Sequence, residues 1–101
     1  MRLGQVIGRV TLSEVVPSLR GARWLIVSPF TAEQFRQAAA GADITQSREP
    51  SLVIYDSLGG SPGQTVGFVE GREAAQPFEQ PPPIDAINAA LIDEVFYTPP
   101  S

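Results

Sequence analysis

The 101-residue sequence contains no cysteine, no histidine and no lysine, so all seven of its basic residues are arginine. Disulfides and cysteine- or histidine-ligated metal sites are therefore excluded. A histidine general base, a thiolate nucleophile and a Schiff-base lysine are excluded as well. Any chemistry would have to rest on carboxylates, tyrosines or unassisted hydroxyl groups. We therefore predict a protein that is not an enzyme and that binds no metal or cofactor.

Positive charge and long apolar runs are also scarce. The formal net charge is −4 and the arginines are scattered along the chain without a cluster, whereas a nucleic-acid-binding protein normally carries a basic stripe. No apolar run approaches the roughly 20 residues that span a bilayer. The first residues, MRLGQVIGRV, lack the unbroken apolar core of a signal peptide. These features predict a cytoplasmic protein with no nucleic-acid and no membrane partner.

The chain does contain enough apolar residues, 43%, to fold as a single domain over residues 1–101. Apolar runs bounded by turn residues predict five strands, at 2–12, 23–29, 51–57, 64–71 and 91–97. Two short helices are predicted at 32–40, where Thr31 is the N-cap, and at 84–90. A helical turn is expected at 71–76. This order predicts a mainly β fold, a small five-stranded OB-like barrel with one or two short helices.

The glycine-rich segment DSLGGSPGQT connects the third and fourth predicted strands. A P-loop is excluded because the chain has no lysine, and the spacing of the glycines does not match a dinucleotide fingerprint. Two interpretations stay open, a flexible hairpin connection and a loop whose backbone packs closely against another chain. Asp56, at the end of the third strand, is interpreted as a turn former rather than a catalytic acid. Asp93 and Glu94 are adjacent in a predicted strand and would point to opposite faces.

Four segments occur in the order of a known family: MRLGQVIGRV, PSLRGARWLIVSP, YDSLGGSPGQTVGFVEG and PIDAINAALIDEV. Together they resemble the pentameric vertex proteins of bacterial microcompartment shells, the EutN/CcmL family. Four departures from the family pattern are visible. Residues 60–63, GSPG, stand where the family usually has Ala-Gly-x-Gly, and Gln64 replaces a glutamate. Residues 88–90, NAA, replace a segment that often carries a glycine, and the segment 31–50 is longer than expected.

The resemblance implies a structural shell protein whose homopentamers cap the five-fold vertices of a microcompartment and contact hexameric and trimeric tile proteins. It places one loop at the five-fold axis, made of Gly59, Gly60, Ser61, Pro62 and Gly63. The residues expected at the subunit interface are Asp56, Leu91, Ile92, Asp93, Val95 and Phe96. A single-stranded nucleic-acid or small-ligand binding module is the alternative, and would need a basic groove with stacking aromatics. A carboxylate-dependent enzyme would need an aspartate and a glutamate to converge.

Overall fold

The computed structural model describes residues 1–45, 50–79 and 84–96, which form five strands, one α-helix and two 3-10 turns. The strands are β1 (Arg2–Val10), β2 (Arg23–Pro29), β3 (Leu52–Asp56), β4 (Thr65–Glu70) and β5 (Ala86–Ile92). The helix, α1, is Ala32–Ala39, and the 3-10 turns are Pro17–Leu19 and Gly71–Ala75. No helix in the described part of the chain is long and apolar enough to cross a membrane.

The strands close into a barrel in the order β1-β2-β3-β5-β4, with β4 pairing back onto β1. Four of the five contacts between strands are antiparallel. The contact between β3 and β5 is parallel and its register consists of one residue pair, Tyr55 with Ile87. A closed five-stranded barrel is the small OB-like barrel that the sequence predicted.

The core lies inside the barrel and is built from alternate residues of the strands, because successive side chains of a strand point to opposite faces. Leu25 and Val27 point inward from β2, and Val66 and Phe68 point inward from β4; all four are fully buried. The full cluster consists of Val6, Leu25, Val27, Ile54, Val66, Phe68 and Ala86. A register shift after Val6 lets β1 turn from β4 toward the hairpin that it forms with β2.

The first four predicted strands are confirmed, the second one at the predicted residues and the others within two residues at each end. The helix begins after Thr31 as predicted, and the Oε1 atom of Gln34 accepts a hydrogen bond from the Thr31 backbone N–H at 2.9 Å. The helical turn predicted at 71–76 is a 3-10 turn, Gly71–Ala75.

The end of the chain was predicted wrongly. The helix expected at 84–90 does not form, since Ala86–Ile92 is strand β5, and the strand expected at 91–97 contributes only its first two residues to β5. Alanine-rich AINAALI has a helical preference, but this preference is weak and the pairing of six of its seven residues with β4 overrides it. Residues 93–96 follow without regular structure, and Tyr97 lies outside the described residues.

Candidate functional site

The glycine-rich loop, residues 57–64, leaves β3 through a turn that Asp56 organises. The Asp56 carboxylate is 2% exposed. Its Oδ1 atom accepts a hydrogen bond from the Leu58 backbone N–H at 2.9 Å, and its Oδ2 atom accepts one from the Gly60 N–H at 2.9 Å. Such bonds from an aspartate to backbone groups a few residues later are what fix a turn. The interpretation of Asp56 as a turn former is confirmed.

A second side chain, Asn88 of β5, completes this buried network. Its Nδ2 atom donates a hydrogen bond to the Asp56 Oδ1 atom at 2.9 Å. The Asn88 Oδ1 atom is buried and has no hydrogen-bond partner among the described residues. Because Asp56 and Asn88 directly follow Tyr55 and Ile87, the network lies beside the single residue pair that joins β3 to β5. The loop, β3 and β5 are therefore tied together at one point.

Gly60 is buried under this network, and it fits because it has no side chain. A Cβ atom at Gly60 would lie 2.7 Å from the Leu25 Cδ1 atom and 3.4 Å from the Asn88 Nδ2 atom. Leu25 is fully buried in the core and has little room to move. The sequence prediction explained these glycines by close packing between subunits. The structure adds a reason within one subunit, since Leu25 and Asn88 leave no space for a side chain at Gly60. Gly59 and Gly63 have positive φ values of 83° and 93°, which favour glycine.

The far end of the loop is fastened to β1. The Gly63 N–H donates to the Val6 carbonyl at 2.8 Å, and the Val6 N–H donates to the Gln64 carbonyl at 2.8 Å. The Gln64 side chain accepts a hydrogen bond at its Oε1 atom from the Ser61 N–H, also at 2.8 Å. Ser61 and Pro62 remain exposed at the tip. Hydrogen bonds thus hold the loop at both ends, and Gly60 is its one buried residue. The loop is not a hairpin connection, because β5 lies between β3 and β4 in the barrel.

The residues predicted at the subunit interface fall into two groups. Asp56 is buried within its own subunit. It would therefore affect an interface only indirectly, by holding the loop in position. The others lie at the end of β5 and beyond it. Leu91 is 40% exposed and Phe96 is 88% exposed. The end of β5 and the residues after it line a shallow cavity of about 360 Å³ against the C-terminal end of α1, with Ile92, Asp93, Val95 and Phe96 on its wall.

A larger groove, of about 740 Å³, lies at the connection between β1 and β2, and the sequence did not predict it. We call it the hairpin groove. Its lining residues are Arg9, Val10, Thr11, Leu12, Val15, Leu19, Gly21, Ala22, Arg23 and Trp24. Arg9 and Arg23 are separated in sequence and form no basic cluster there. The sequence therefore did not reveal that the fold would place them in one groove.

No group of three or more acidic residues that could hold a metal ion occurs among the residues that the structure describes. Asp56 is the one buried acidic residue among those described, and both of its oxygens accept hydrogen bonds from the loop or from Asn88. The arrangement therefore serves to shape a loop.

Comparison with protein families decides the relationship of this chain. The family model described as "Ethanolamine utilisation protein EutN/carboxysome" matches residues 1–93. The chain belongs to the EutN/CcmL family. A comparison with curated protein sequences gave no match.

Solved structures of EutN/CcmL proteins have the same fold over almost their whole length. GrpN, a pentameric microcompartment shell protein from Rhodospirillum rubrum, is 25% identical with a TM-score of 0.75, and the match covers 98% of this chain and 100% of GrpN. CcmL from Gloeobacter violaceus is 26% identical with a TM-score of 0.74, over 96% and 90% of the two chains. EutN from Escherichia coli, at 22% identity and a TM-score of 0.76 over 96% and 89%, agrees in fold.

One departure from the EutN/CcmL pattern can be interpreted from the loop geometry. Gln64 stands where a glutamate is typical of the family, and its Oε1 atom accepts the Ser61 N–H. A glutamate oxygen could accept the same hydrogen bond, so the substitution keeps the acceptor and removes one negative charge beside the loop tip. The long segment 31–50 is occupied at its start by α1, and its residues 46–49 lie outside the described part of the chain.

Proposed function

We propose that this chain is a structural shell protein that assembles as a homopentamer and caps the five-fold vertices of a bacterial microcompartment. The observation that carries the proposal is the agreement with GrpN, a pentameric microcompartment shell protein, along 98% of this chain and all of GrpN. The membership of the EutN/CcmL family supports the same assignment. Flat hexameric tiles cannot close a polyhedron by themselves, so the shell needs a five-fold component at each vertex.

The surface of the isolated subunit also favours assembly. Large apolar side chains are exposed at several places, including Val53 at 52%, Leu58 at 45% and Phe96 at 88%. A domain of about 100 residues buries only roughly 60–68% of its unfolded surface, so association adds much to its stability. As a vertex protein the chain would lie in the shell, inside the bacterial cytoplasm, and would contact hexameric and trimeric tile proteins at its rim.

The loop tip is the part of the subunit that we place at the five-fold axis. Ser61 and Pro62 are exposed at its apex, while hydrogen bonds at both ends of the loop hold the tip in position. A ring brings equivalent loops together around its axis, and a fixed, narrow tip allows five copies to approach closely. The Ser61 hydroxyl would then be the polar group that lines the central opening.

Light scattering after size exclusion tests the proposal directly. Five chains of 10.8 kDa would give a particle of about 54 kDa. A stable monomer or dimer at micromolar concentration would contradict the homopentamer.

The same sample tests the alternative function. Titration of a fluorescently labelled single-stranded oligo(dT) at low salt should show no saturable binding, because the chain is acidic overall. Saturable, salt-sensitive binding would favour a nucleic-acid-binding module instead.

A further inference from the structure

The hairpin groove is basic on a protein that is otherwise acidic. The segment that forms it, residues 9–24, contains three of the seven arginines, Arg9, Arg20 and Arg23, and one of the eleven acidic residues, Glu14. The formal charge of the whole chain is −4, so the rest of the chain is strongly negative. Arg9 and Arg23 line the groove and are exposed, and neither forms an ion pair with another described residue. Two unpaired cations therefore face an open groove.

The lining of the hairpin groove also includes apolar side chains, which we call its apolar floor. They are Leu12, at 44% exposure, and Val15, Leu19 and Trp24. The Trp24 ring meets the Tyr55 ring edge to face, with 5.8 Å between the ring centroids. Trp24 is half-buried by this arrangement. A ligand for this groove should therefore combine negative charge with an apolar or aromatic side chain.

The chain carries such a ligand on another part of its own surface. The residues after β5, which we call the acidic segment, are Asp93, Glu94, Val95 and Phe96. Asp93 and Glu94 are exposed and form no ion pair within the described residues. Phe96 is 88% exposed and forms no ring contact with the other described residues. Exposure of so much apolar surface is unfavourable. Two negative charges and an aromatic ring thus lie within four consecutive residues.

We propose that the acidic segment of one copy docks into the hairpin groove of the next copy. Asp93 and Glu94 would meet Arg9 and Arg23, and Phe96 would cover the apolar floor. The two surfaces are different parts of the chain, so the contact is head to tail and repeats around a ring. The inference rests on the proposed homopentamer and identifies the two surfaces that join its subunits.

Single-stranded nucleic acid is also anionic and stacks on aromatic rings, but the observations favour a second copy. The edge-to-face contact with Tyr55 leaves Trp24 half-buried instead of free on both faces. The net charge of −4 repels a polyanion over the rest of the surface. By contrast, the two negative charges of the acidic segment match the two arginines of the groove, and its exposed ring matches the apolar floor.

Charge reversal with rescue tests the contact. The groove variant is Arg9→Glu with Arg23→Glu, and the segment variant is Asp93→Arg with Glu94→Arg. Each should lose the five-fold particle in native mass spectrometry, because like charges meet at every junction and weaken association about 100-fold or more. The combined variant carries both reversals and restores opposite charges at every junction. It should assemble again as the unmodified protein does.

Mixing the two single-surface variants gives a sharper result. A groove-variant subunit carries negative charge on both surfaces, and a segment-variant subunit carries positive charge on both. Opposite charges meet only where the two kinds of subunit alternate. A ring with an odd number of members cannot alternate completely, so a mixed five-membered ring retains at least one repulsive junction. The equimolar mixture should therefore form fewer complete rings than the combined variant does.

Controls separate this contact from other effects. Arg36→Glu with Arg72→Glu changes the net charge by the same amount as the groove variant and should leave the particle intact. Phe96→Ser should weaken the ring without changing the fold, as circular dichroism would show. If the groove variant does not fold, the segment variant and Phe96→Ser decide the question.

The outcomes distinguish the contact from the homopentamer itself. If the unmodified protein forms no pentamer, the proposed function fails. If it forms a pentamer that survives reversal of either surface, or that the combined variant does not restore, the docking is wrong while the homopentamer stands. Binding of oligo(dT) that the groove variant abolishes would assign the groove to nucleic acid instead.

Discussion

Replacing Asp56 with asparagine is the most direct test of the buried network under the loop. The carboxylate accepts hydrogen bonds from the Leu58 N–H, the Gly60 N–H and the Asn88 side chain, each at 2.9 Å. An asparagine has one acceptor oxygen, and its NH₂ group would take the position of the other carboxylate oxygen. There it would face an N–H group, which is also a donor. Either orientation of the amide leaves at least one buried N–H without an acceptor.

The expected loss can be worked out from these contacts. A hydrogen bond to a charged group contributes about 1.5–3 kcal/mol, and a buried donor left without a partner costs about 1–3 kcal/mol. Removing a buried charge offsets part of this loss. We expect Asp56→Asn to lower the free energy of unfolding by about 2–4 kcal/mol. For a domain of this size, that corresponds to a fall in melting temperature of roughly 10 °C or more.

Thermal unfolding followed by circular dichroism measures this change. Asp43→Asn is the matched control, since it makes the same chemical change at an exposed residue and should be nearly neutral. Both variants need the same protein concentration, because assembly raises the apparent stability. A melting temperature for Asp56→Asn equal to that of Asp43→Asn would refute the reasoning, since it would mean that the three hydrogen bonds contribute nothing net.

Two further substitutions in the loop separate its anchored part from its tip. Gly60→Ala should destabilise the subunit by about 1–3 kcal/mol in thermal unfolding, because its Cβ atom would lie 2.7 Å from the Leu25 Cδ1 atom. Ser61→Ala is the neighbouring control. Equal stability of the two variants would contradict the close approach of Gly60 to Leu25. Ser61→Trp should reduce the fraction of pentamer in native mass spectrometry while the fold is kept, and an unchanged pentamer would show that the tip faces solvent.

The sequence predicted the barrel because most of its strands are marked by local features. The run RWLIVSP of β2 is apolar and bounded by turn residues, and it was located at the correct residues. The last strand was misplaced because its signal is not local. β5 contains small residues that favour a helix, and it is a strand because it fills the space between β4 and β3. Only the folded chain supplies that constraint.

The candidate site, like the fold, was predicted only in part. An aspartate before a glycine-rich turn predicts hydrogen bonds to backbone groups, and Asp56 makes them. Its second partner, Asn88, could not be found, because it is 32 positions away and lies in the segment that was predicted to be helical. The hairpin groove was missed for a similar reason, since Arg9 and Arg23 line one groove only when β1 and β2 have paired.

The parallel seam between β3 and β5 has a consequence for how the subunit moves. One backbone pair and the Asp56–Asn88 hydrogen bond join the two strands, whereas the other four strand contacts are longer ladders. Local unfolding begins where few interactions resist it, so the barrel should open locally at this seam. The Asp56 carboxylate also accepts the hydrogen bonds that hold the loop, so opening of the seam should loosen the loop as well. The exposed tip, by contrast, takes no part in the seam, so substitution of Ser61 or Pro62 should leave the opening of the barrel unchanged.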